Sequence, residues 1–311
     1  MLSSPSSRSP SRAEGRFDTV LAWYFVVVWG SGYLASKTGM QYAAPFTFLS
    51  LRYLFGMACL IPIAVLSRPV WPSSFREVLH ICVAGLLMHA IYLSGSHHAQ
   101  YFGMSAGITA LILALQPLLT AMVSHRVMGD RLARLQWIGV AIGFVGVGLV
   151  VWHKVSIRAV SLASLGAVAL SLTSITAGTL YQRVFCSKVD LRSASLIQFA
   201  VSALVVIPPA YATEGFAIRW TWQLIGSVVF LVVFASILAV NVLHRLMRRG
   251  QATKVTSLLY LTPIIAVLLE WAMFGVVPTR TSVIGIVVTS IGVALVSWRR
   301  APRPDRRVLS T

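Results

Sequence analysis

The chain has 311 residues, of which 57% are hydrophobic and 11% are charged, and its mean hydropathy is +0.80. Soluble domains carry about 25% charged residues, and a soluble fold of this length cannot hide so much apolar side chain because polar groups must cover its surface. The composition therefore excludes a soluble globular protein and, outside the tails, a disordered chain. It predicts an all-α membrane protein that crosses the bilayer many times.

Ten apolar segments are long enough to cross a bilayer, which requires about 20 residues per helix. We predict spans at 19–38, 46–66, 77–97, 104–125, 135–153, 162–182, 194–211, 222–243, 252–273 and 281–298. The segments do not alternate polar and apolar residues, as barrel strands would. Residues 1–18 are rich in Ser, Pro and Arg and are predicted to form a disordered tail, and residues 299–311 form a basic tail.

The distribution of basic residues predicts the orientation of these spans. Ten crossings place both termini on one side. The loops of the other side contain four basic residues: Lys154, Arg158, Arg219 and Arg280. Two more, Lys37 and Arg52, fall in or at the end of spans. The remaining 20 of the 26 Lys and Arg lie on the side of the termini. By the positive-inside rule, both tails are cytoplasmic and the chain is an integral protein of the plasma (inner) membrane. The net charge of +18 thus reflects topology and attraction to the lipid bilayer, and we expect no nucleic-acid partner.

The chain repeats itself at an offset of 146 residues. Without gaps, this shift superimposes matching residues of the two halves: Pro62 on Pro208, Ala106 on Ala252, Pro117 on Pro263, Gly139 on Gly285, Gly146 on Gly292 and Trp152 on Trp298. A shared membrane composition is the alternative explanation, but it accounts poorly for matched prolines and glycines. We predict two repeats, 19–153 and 162–298. Because each has five spans, the second enters the membrane from the opposite face, as in many secondary transporters.

Several short motifs occur in a characteristic order along this repeat. They are Trp29-Gly30-Ser31-Gly32, Pro45 followed by Arg52, Leu115-Gln116-Pro117-Leu118-Leu119-Thr120-Ala121, Gly129-Asp130-Arg131-Leu132 and Tyr260-Leu261-Thr262-Pro263. With these motifs the chain resembles the EamA-type transporters of the drug/metabolite transporter superfamily over residues 19–298. It departs from the pattern at Val276, where the second repeat lacks the acidic residue. The resemblance implies ten helices in two inverted five-helix repeats and movement of a small metabolite, such as an amino acid or a drug-like compound.

Two charged residues inside predicted spans are candidates for function. Glu270 is the only acidic residue within a span, and a carboxylate in hydrocarbon usually faces a cavity or a partner. We expect it to couple transport to protons, with a structural pair as the alternative. Arg52 lies at a comparable depth. It could pair with Glu270 as a structural salt bridge, or it could hold a substrate carboxylate through its planar guanidinium.

Two matched prolines indicate broken helices. Pro117 and Pro263 remove a backbone donor in mid-span, and broken helices at matching positions of two repeats point to a binding site. Static kinks that only shape the packing are the alternative. Aromatic residues in spans more often pack in the core. We nevertheless expect the substrate path to be lined by residues beside these breaks and by aromatic residues of other spans: Trp29, Tyr33, Tyr92, Gln116, Tyr260 and Thr262.

The sequence contains no catalytic motif and no metal-ligand spacing, so we predict neither an enzyme nor a bound cofactor or metal. The predicted function is secondary transport of a small metabolite by alternating access, in the export direction and coupled to protons through Glu270. A channel and a membrane enzyme that acts on lipid-linked substrates are the alternatives. The glycines at 139, 143, 146 and 148 predict close helix packing, either within the chain or in a homodimer.

Overall fold

The computed structural model describes residues 12–129, 132–156, 160–248 and 261–297. In these ranges the chain forms ten helices: α1 (Arg12–Gly39), α2 (Pro45–Ser67), α3 (Phe75–Tyr101), α4 (Ala106–Val127), α5 (Arg134–Ser156), α6 (Leu162–Phe185), α7 (Leu191–Glu214), α8 (222–248), α9 (Thr262–Phe274) and α10 (Arg280–Ser297). The first eight are long and apolar enough to cross a membrane, and α9 and α10 are shorter apolar helices. The predicted helical membrane fold is confirmed.

The first helix begins earlier than the sequence analysis placed it. A disordered tail was predicted for residues 1–18, but α1 starts at Arg12. No proline lies between Pro10 and the first apolar span, and Arg12, Ala13 and Glu14 favour helix, so the helix extends backwards from that span. The rest of that tail, residues 1–11, and the basic tail at 299–311 lie outside the described residues.

Polar caps set the starts of several other helices. In each case a side-chain oxygen accepts a hydrogen bond from a backbone N–H of the first turn, which otherwise has no partner inside the helix. The capping residues are Ser74, Ser105, Ser161, Asp190 and Thr221. These caps separate helices that short connections would otherwise merge.

Three helices are irregular in the middle of the bundle. The α4 helix is interrupted at 114–115 and restarts as Gln116–Val127, with Pro117 in the first turn of the new segment, where proline costs no hydrogen bond. The α3 and α8 helices contain π-helical segments at Leu86–Ile91 and Phe230–Leu238. The repeat offset carries 86–91 onto 232–237, so both halves widen at the same place. Such segments are frequent at functional sites.

The last helices of the two repeats, α5 and α10, form the most extensive helix contact in the described chain. A Cβ on Gly139 would lie 2.6 Å from the Gly292 carbonyl oxygen, and one on Gly146 would lie 2.8 Å from that of Gly285. The residue numbers of the contacts thus increase along α5 as they decrease along α10, so these equivalent helices run antiparallel. The repeats are therefore inverted, and the glycines serve this contact inside the chain, where no Cβ would fit.

The second helices of the repeats, α2 and α7, also pack against each other. The rings of Tyr53 and Phe199, which the repeat offset superimposes, lie 5.6 Å apart. Two equivalent residues in mutual contact mark the axis that relates the halves. At one end of this pair the Glu214 carboxylate accepts hydrogen bonds from the N–H groups of Phe46 (2.9 Å) and Thr47 (2.7 Å), which fixes the start of α2.

The odd-numbered helices run in one direction and the even-numbered helices in the other. The odd-numbered helices end on one side of the bundle, which we call the Lys37 end after a residue in the last turn of α1. The even-numbered helices end on the other side, which we call the Arg183 end after a residue in the last turn of α6. At the Lys37 end the Arg219 N–H donates to the Tyr42 carbonyl at 2.9 Å, which joins the α1–α2 and α7–α8 connections. The orientation predicted from the charges would place the Lys37 end outside the cell.

Candidate functional site

A half-buried arginine lies between the two halves. Arg52 lies on α2, seven residues or about 10 Å after Pro45, by the rise of an α-helix. Its Nη2 donates to the Ser236 hydroxyl at 3.2 Å, and that hydroxyl donates to the Leu231 carbonyl at 2.9 Å, inside the π-helical segment of α8. The Arg52 Nε is shielded and has no hydrogen-bond partner. The widened turn of α8 thus positions the Ser236 hydroxyl, which accepts the hydrogen bond from the guanidinium.

Side chains from α1 and α3 extend this polar region. The Tyr33 and Tyr92 side chains lie close to each other. Tyr92 directly follows the π-helical segment of α3 and interacts electrostatically with Arg52. His89, inside that segment, also lies near Arg52 and near Gln198 of α7. The structure therefore brings three of the predicted path residues, Tyr33, Arg52 and Tyr92, into one cluster.

The two predicted path residues beside Pro117 and Pro263 contact different helices. The Gln116 Nε2 donates to the Thr179 hydroxyl at 3.0 Å, and Thr179 is the repeat equivalent of Tyr33. Thr262 is buried, its hydroxyl has no partner, and Pro263 lies in the first turn of α9. A Cβ on Gly30 would lie 3.2 Å from the Thr262 carbonyl oxygen, so α1 approaches the start of α9 closely.

Glu270 forms a fully bonded contact at the Lys37 end. Its carboxylate is 2.6 Å from the Lys37 Nζ and accepts hydrogen bonds from the N–H groups of Ala106 (3.0 Å) and Gly107 (2.9 Å). The pairing with Arg52 that the sequence allowed therefore does not form, because the free N–H groups at the start of α4 and the last turn of α1 surround the carboxylate instead. This contact joins α1, α4 and α9 at one end of the bundle.

The equivalent positions at the Arg183 end are occupied differently. The repeat offset carries Lys37 onto Arg183 and Ser124 onto Glu270. There Arg183 Nη1 donates to the Ser124 hydroxyl at 3.4 Å. A carboxylate therefore stands at this position at one end and a hydroxyl at the other.

The remaining predicted residues are placed as follows. Trp29 is partly exposed, lies one turn before Tyr33 on the same face of α1, and has a ring contact with Phe25. Tyr260, like Asp130, lies outside the described residues. Sequence reasoning missed the roles of Lys37, Ser236, His89 and Thr179. The repeat offset could have indicated Thr179, as the equivalent of Tyr33, but the other three contacts depend on how the helices are rotated against each other.

Comparison with known proteins agrees with this architecture. The profile of the EamA-like transporter family matches residues 19–152 and 162–298. The uncharacterized transporter YvbV of Bacillus subtilis is 28% identical over 280 residues, which cover 88% of this chain and 89% of the relative. The uncharacterized inner membrane transporter YedA of Escherichia coli K12 is 25% identical, with 94% of each chain covered. A probable amino-acid metabolite efflux pump of the same organism is 24% identical, with 92% of this chain and 98% of the relative covered.

A solved structure shares the fold. A crystal structure superimposes with a TM-score of 0.64 at 18% identity, and the match covers 92% of this chain and 98% of that one. The profile match, the apolar helices and the inverted packing of α5 on α10 all agree. This chain belongs to the EamA-like transporter family and is a membrane transporter.

Proposed function

We propose that the protein is a secondary transporter of the inner membrane that exports a small metabolite, of the amino-acid or drug-like class, by alternating access. The observation that carries this proposal is the antiparallel packing of equivalent helices, α2 on α7 and α5 on α10, around a polar region in mid-bundle. Inverted halves can exchange conformations, and the exchange changes the end at which a central site opens.

The names of relatives support the finer parts of the proposal. One relative is called an inner membrane transporter and another a probable amino-acid metabolite efflux pump. We extend both properties to this chain, together with cytoplasmic termini, which the basic residues favour. The domain boundaries at 19–153 and 162–298 belong to the same proposal, and transport requires no catalytic step or cofactor. A homodimer stays a prediction.

Glu270 is the proposed coupling group, through its place in the contact at the Lys37 end. When the carboxylate takes up a proton it loses its charge, and its attraction to Lys37 and to the N-terminus of α4 falls. The Lys37 end would then separate more readily. Lys37 of α1 and the N–H groups of α4 are the charged or polar groups that face the carboxylate among the described residues. Protons from outside would thus favour the conformation that releases the metabolite outward.

The test is flux in proteoliposomes that contain the purified full chain, with a mixture of radiolabelled L-amino acids as the probe. Wild-type protein is expected to show saturable flux that increases when the compartment facing the Lys37 end is acidified. Glu270→Gln, which cannot change charge, is expected to exchange the probe at a rate that no longer depends on pH.

Glu214→Gln is the matched control, because Glu214 is a carboxylate at the same end that caps α2 and does not contact Lys37. It is expected to keep the pH dependence. Flux that responds to pH equally in wild type and Glu270→Gln would contradict the coupling role. Flux that does not saturate would favour a channel.

A further inference from the structure

The guanidinium of Arg52 has no counter-ion within the described chain. It forms no ion pair there, and its contacts are the Ser236 hydroxyl and the electrostatic influence of tyrosine and histidine side chains. The carboxylates whose partners are known lie elsewhere, since Glu270 binds Lys37 and Glu214 caps α2. A guanidinium has five N–H donors, and a buried charge without a partner costs several kcal/mol, so this group requires an acceptor.

Arg52 lies near the axis between the halves, and only the first half has a charged residue at this position. It precedes Tyr53, whose ring meets the equivalent Phe199 at the axis between the halves. The repeat equivalent of Arg52 is Gln198, which is neutral. The two π-helical segments flank the arginine: Ser236 comes from the segment in α8, and Tyr92 directly follows the segment in α3. Arg52 is half-buried, and it lies between helices of both halves.

We propose that Arg52 is the substrate-binding residue that receives the carboxylate of the transported metabolite, which makes small carboxylic acids and amino acids the substrate class. This rests on the proposed function and names its substrate. A carboxylate can accept two parallel hydrogen bonds from one guanidinium. The hydroxyls of Ser236 and Tyr92 stand beside it. The single positive charge matches one negative charge, whereas a phosphate dianion would leave one charge unmatched.

The first experiment measures whether a carboxylate covers Arg52 in the purified wild-type chain. Phenylglyoxal modifies accessible arginine, and peptide mass spectrometry gives its rate at each position. L-Phenylalanine and benzoate are compared with their amides, which have the same shape without the negative charge, and with phenyl phosphate. We expect at least one carboxylate to slow modification of Arg52 at least fivefold and the amides to have no effect. Equal protection by the amides, protection by none of the carboxylates, or stronger protection by phenyl phosphate would overturn the proposal.

The second experiment uses variants and a readout that a merely structural arginine would not change. Thermal unfolding midpoints are titrated with the same pairs of compounds. Arg52→Gln, which installs the residue of the equivalent position, is expected to require at least tenfold more carboxylate for the same midpoint shift, while the response to amides stays within twofold. Arg52→Lys is expected to keep part of the preference. Arg219→Gln, which removes a charge from a loop at the Lys37 end, is expected to match wild type.

The outcomes separate this proposal from the proposed function. If Arg52→Gln binds carboxylates as wild type does, the carboxylate role is overturned even where flux is intact. If wild-type proteoliposomes show no saturable flux, the transport proposal fails, while the labelling of Arg52 still decides what this site binds. If Arg52→Gln does not fold, the protection measured on the wild-type chain decides the question.

Discussion

Glu270 shows at the scale of one residue how a buried charge is held in an apolar bundle. Three donors from two helices satisfy its carboxylate, and each comes from a place where a donor is free: the side chain of Lys37 and the first N–H groups of α4. The Lys37 ammonium also lies 4.6 Å from the centre of the Phe274 ring, which adds a cation–π contact in the last turn of α9.

The contact predicts an order of stability for two variants. Glu270→Ala leaves two backbone N–H groups and one ammonium without an acceptor, which we expect to cost about 3 kcal/mol. Lys37→Met removes the counter-ion of the carboxylate but keeps both N–H bonds at the start of α4, so the expected cost is smaller, about 2 kcal/mol. Thermal unfolding of the purified chain in detergent, followed by tryptophan fluorescence, measures both. A lower midpoint for Lys37→Met than for Glu270→Ala would show that the backbone bonds contribute little.

The sequence indicated which residues matter at this scale but not how they pair. Glu270 and Arg52 were identified because charged residues in spans are rare and costly. Their partners could not be predicted, because Lys37 is 233 positions from Glu270 and Ser236 is 184 from Arg52. Depth in the bilayer indicated Arg52 as a partner of Glu270, but the structure pairs Glu270 with Lys37. The choice depends on the rotation of α1 and α2 about their axes, and packing of the whole bundle sets that rotation.

At the scale of helices, the glycine contact of α5 on α10 holds the two repeats together. A Cβ on Gly292 would meet the Gly143 backbone nitrogen and lie 2.6 Å from the Gly139 carbonyl oxygen. Backbone atoms cannot move away as a flexible side chain can. The helix axes would have to separate along the whole contact, which gives up dispersion contacts of many neighbouring atoms.

We therefore expect Gly292→Ala to lower stability by about 2 kcal/mol, the cost typical of overpacking. Gly148→Ala is the matched control on α5, because nothing lies within 4 Å of a Cβ there. Alanine favours helix over glycine, so the control is expected to be neutral or slightly stabilising. The unfolding midpoint and the folded yield of both variants test this, and equal midpoints would show that the contact tolerates an added methyl group.

The sequence predicted the positions of the helices well but not their internal irregularities, and the difference has a physical cause. Span positions followed from hydropathy, because a bilayer requires a fixed apolar length. The interruption of α4 falls directly before Gln116, beside the proline that the sequence analysis singled out. The π-helical segments in α3 and α8 were not predicted, since a wider turn needs no particular residue type and depends on neighbouring helices. They flank Arg52, so an important part of the candidate site was not visible in the sequence.

At the scale of the whole molecule, two similar halves differ at their most polar positions. Arg52 stands opposite the neutral Gln198, and the Lys37–Glu270 pair stands opposite Arg183 and Ser124. A transporter built from two identical inverted halves would have equal free energy when closed at either end. The Lys37–Glu270 ion pair joins α1, α4 and α9 at the Lys37 end, so we expect the unloaded protein at neutral pH to favour the conformation closed there. Loss of the Glu270 charge would shift the population to the other conformation.

The repeat was the part of the whole molecule that the sequence predicted best. The offset of 146 residues follows from gapless matches of proline and glycine, and the antiparallel contact of α5 with α10 confirms the inversion that an odd number of spans requires. The substrate was not predictable in this way, because it depends on a few side chains that the halves do not share.

The most direct test of alternating access measures both ends of the bundle at once. Spin labels at Phe102 and Val276 report on the Lys37 end, and labels at Val127 and Phe185 report on the Arg183 end, all at exposed positions in a chain whose three cysteines have been replaced. Electron–electron resonance distances are compared between Glu270 and Glu270→Gln backgrounds. We expect the substitution to lengthen the first distance and to shorten the second. Distances that stay fixed, or that change in the same direction at both ends, would contradict it.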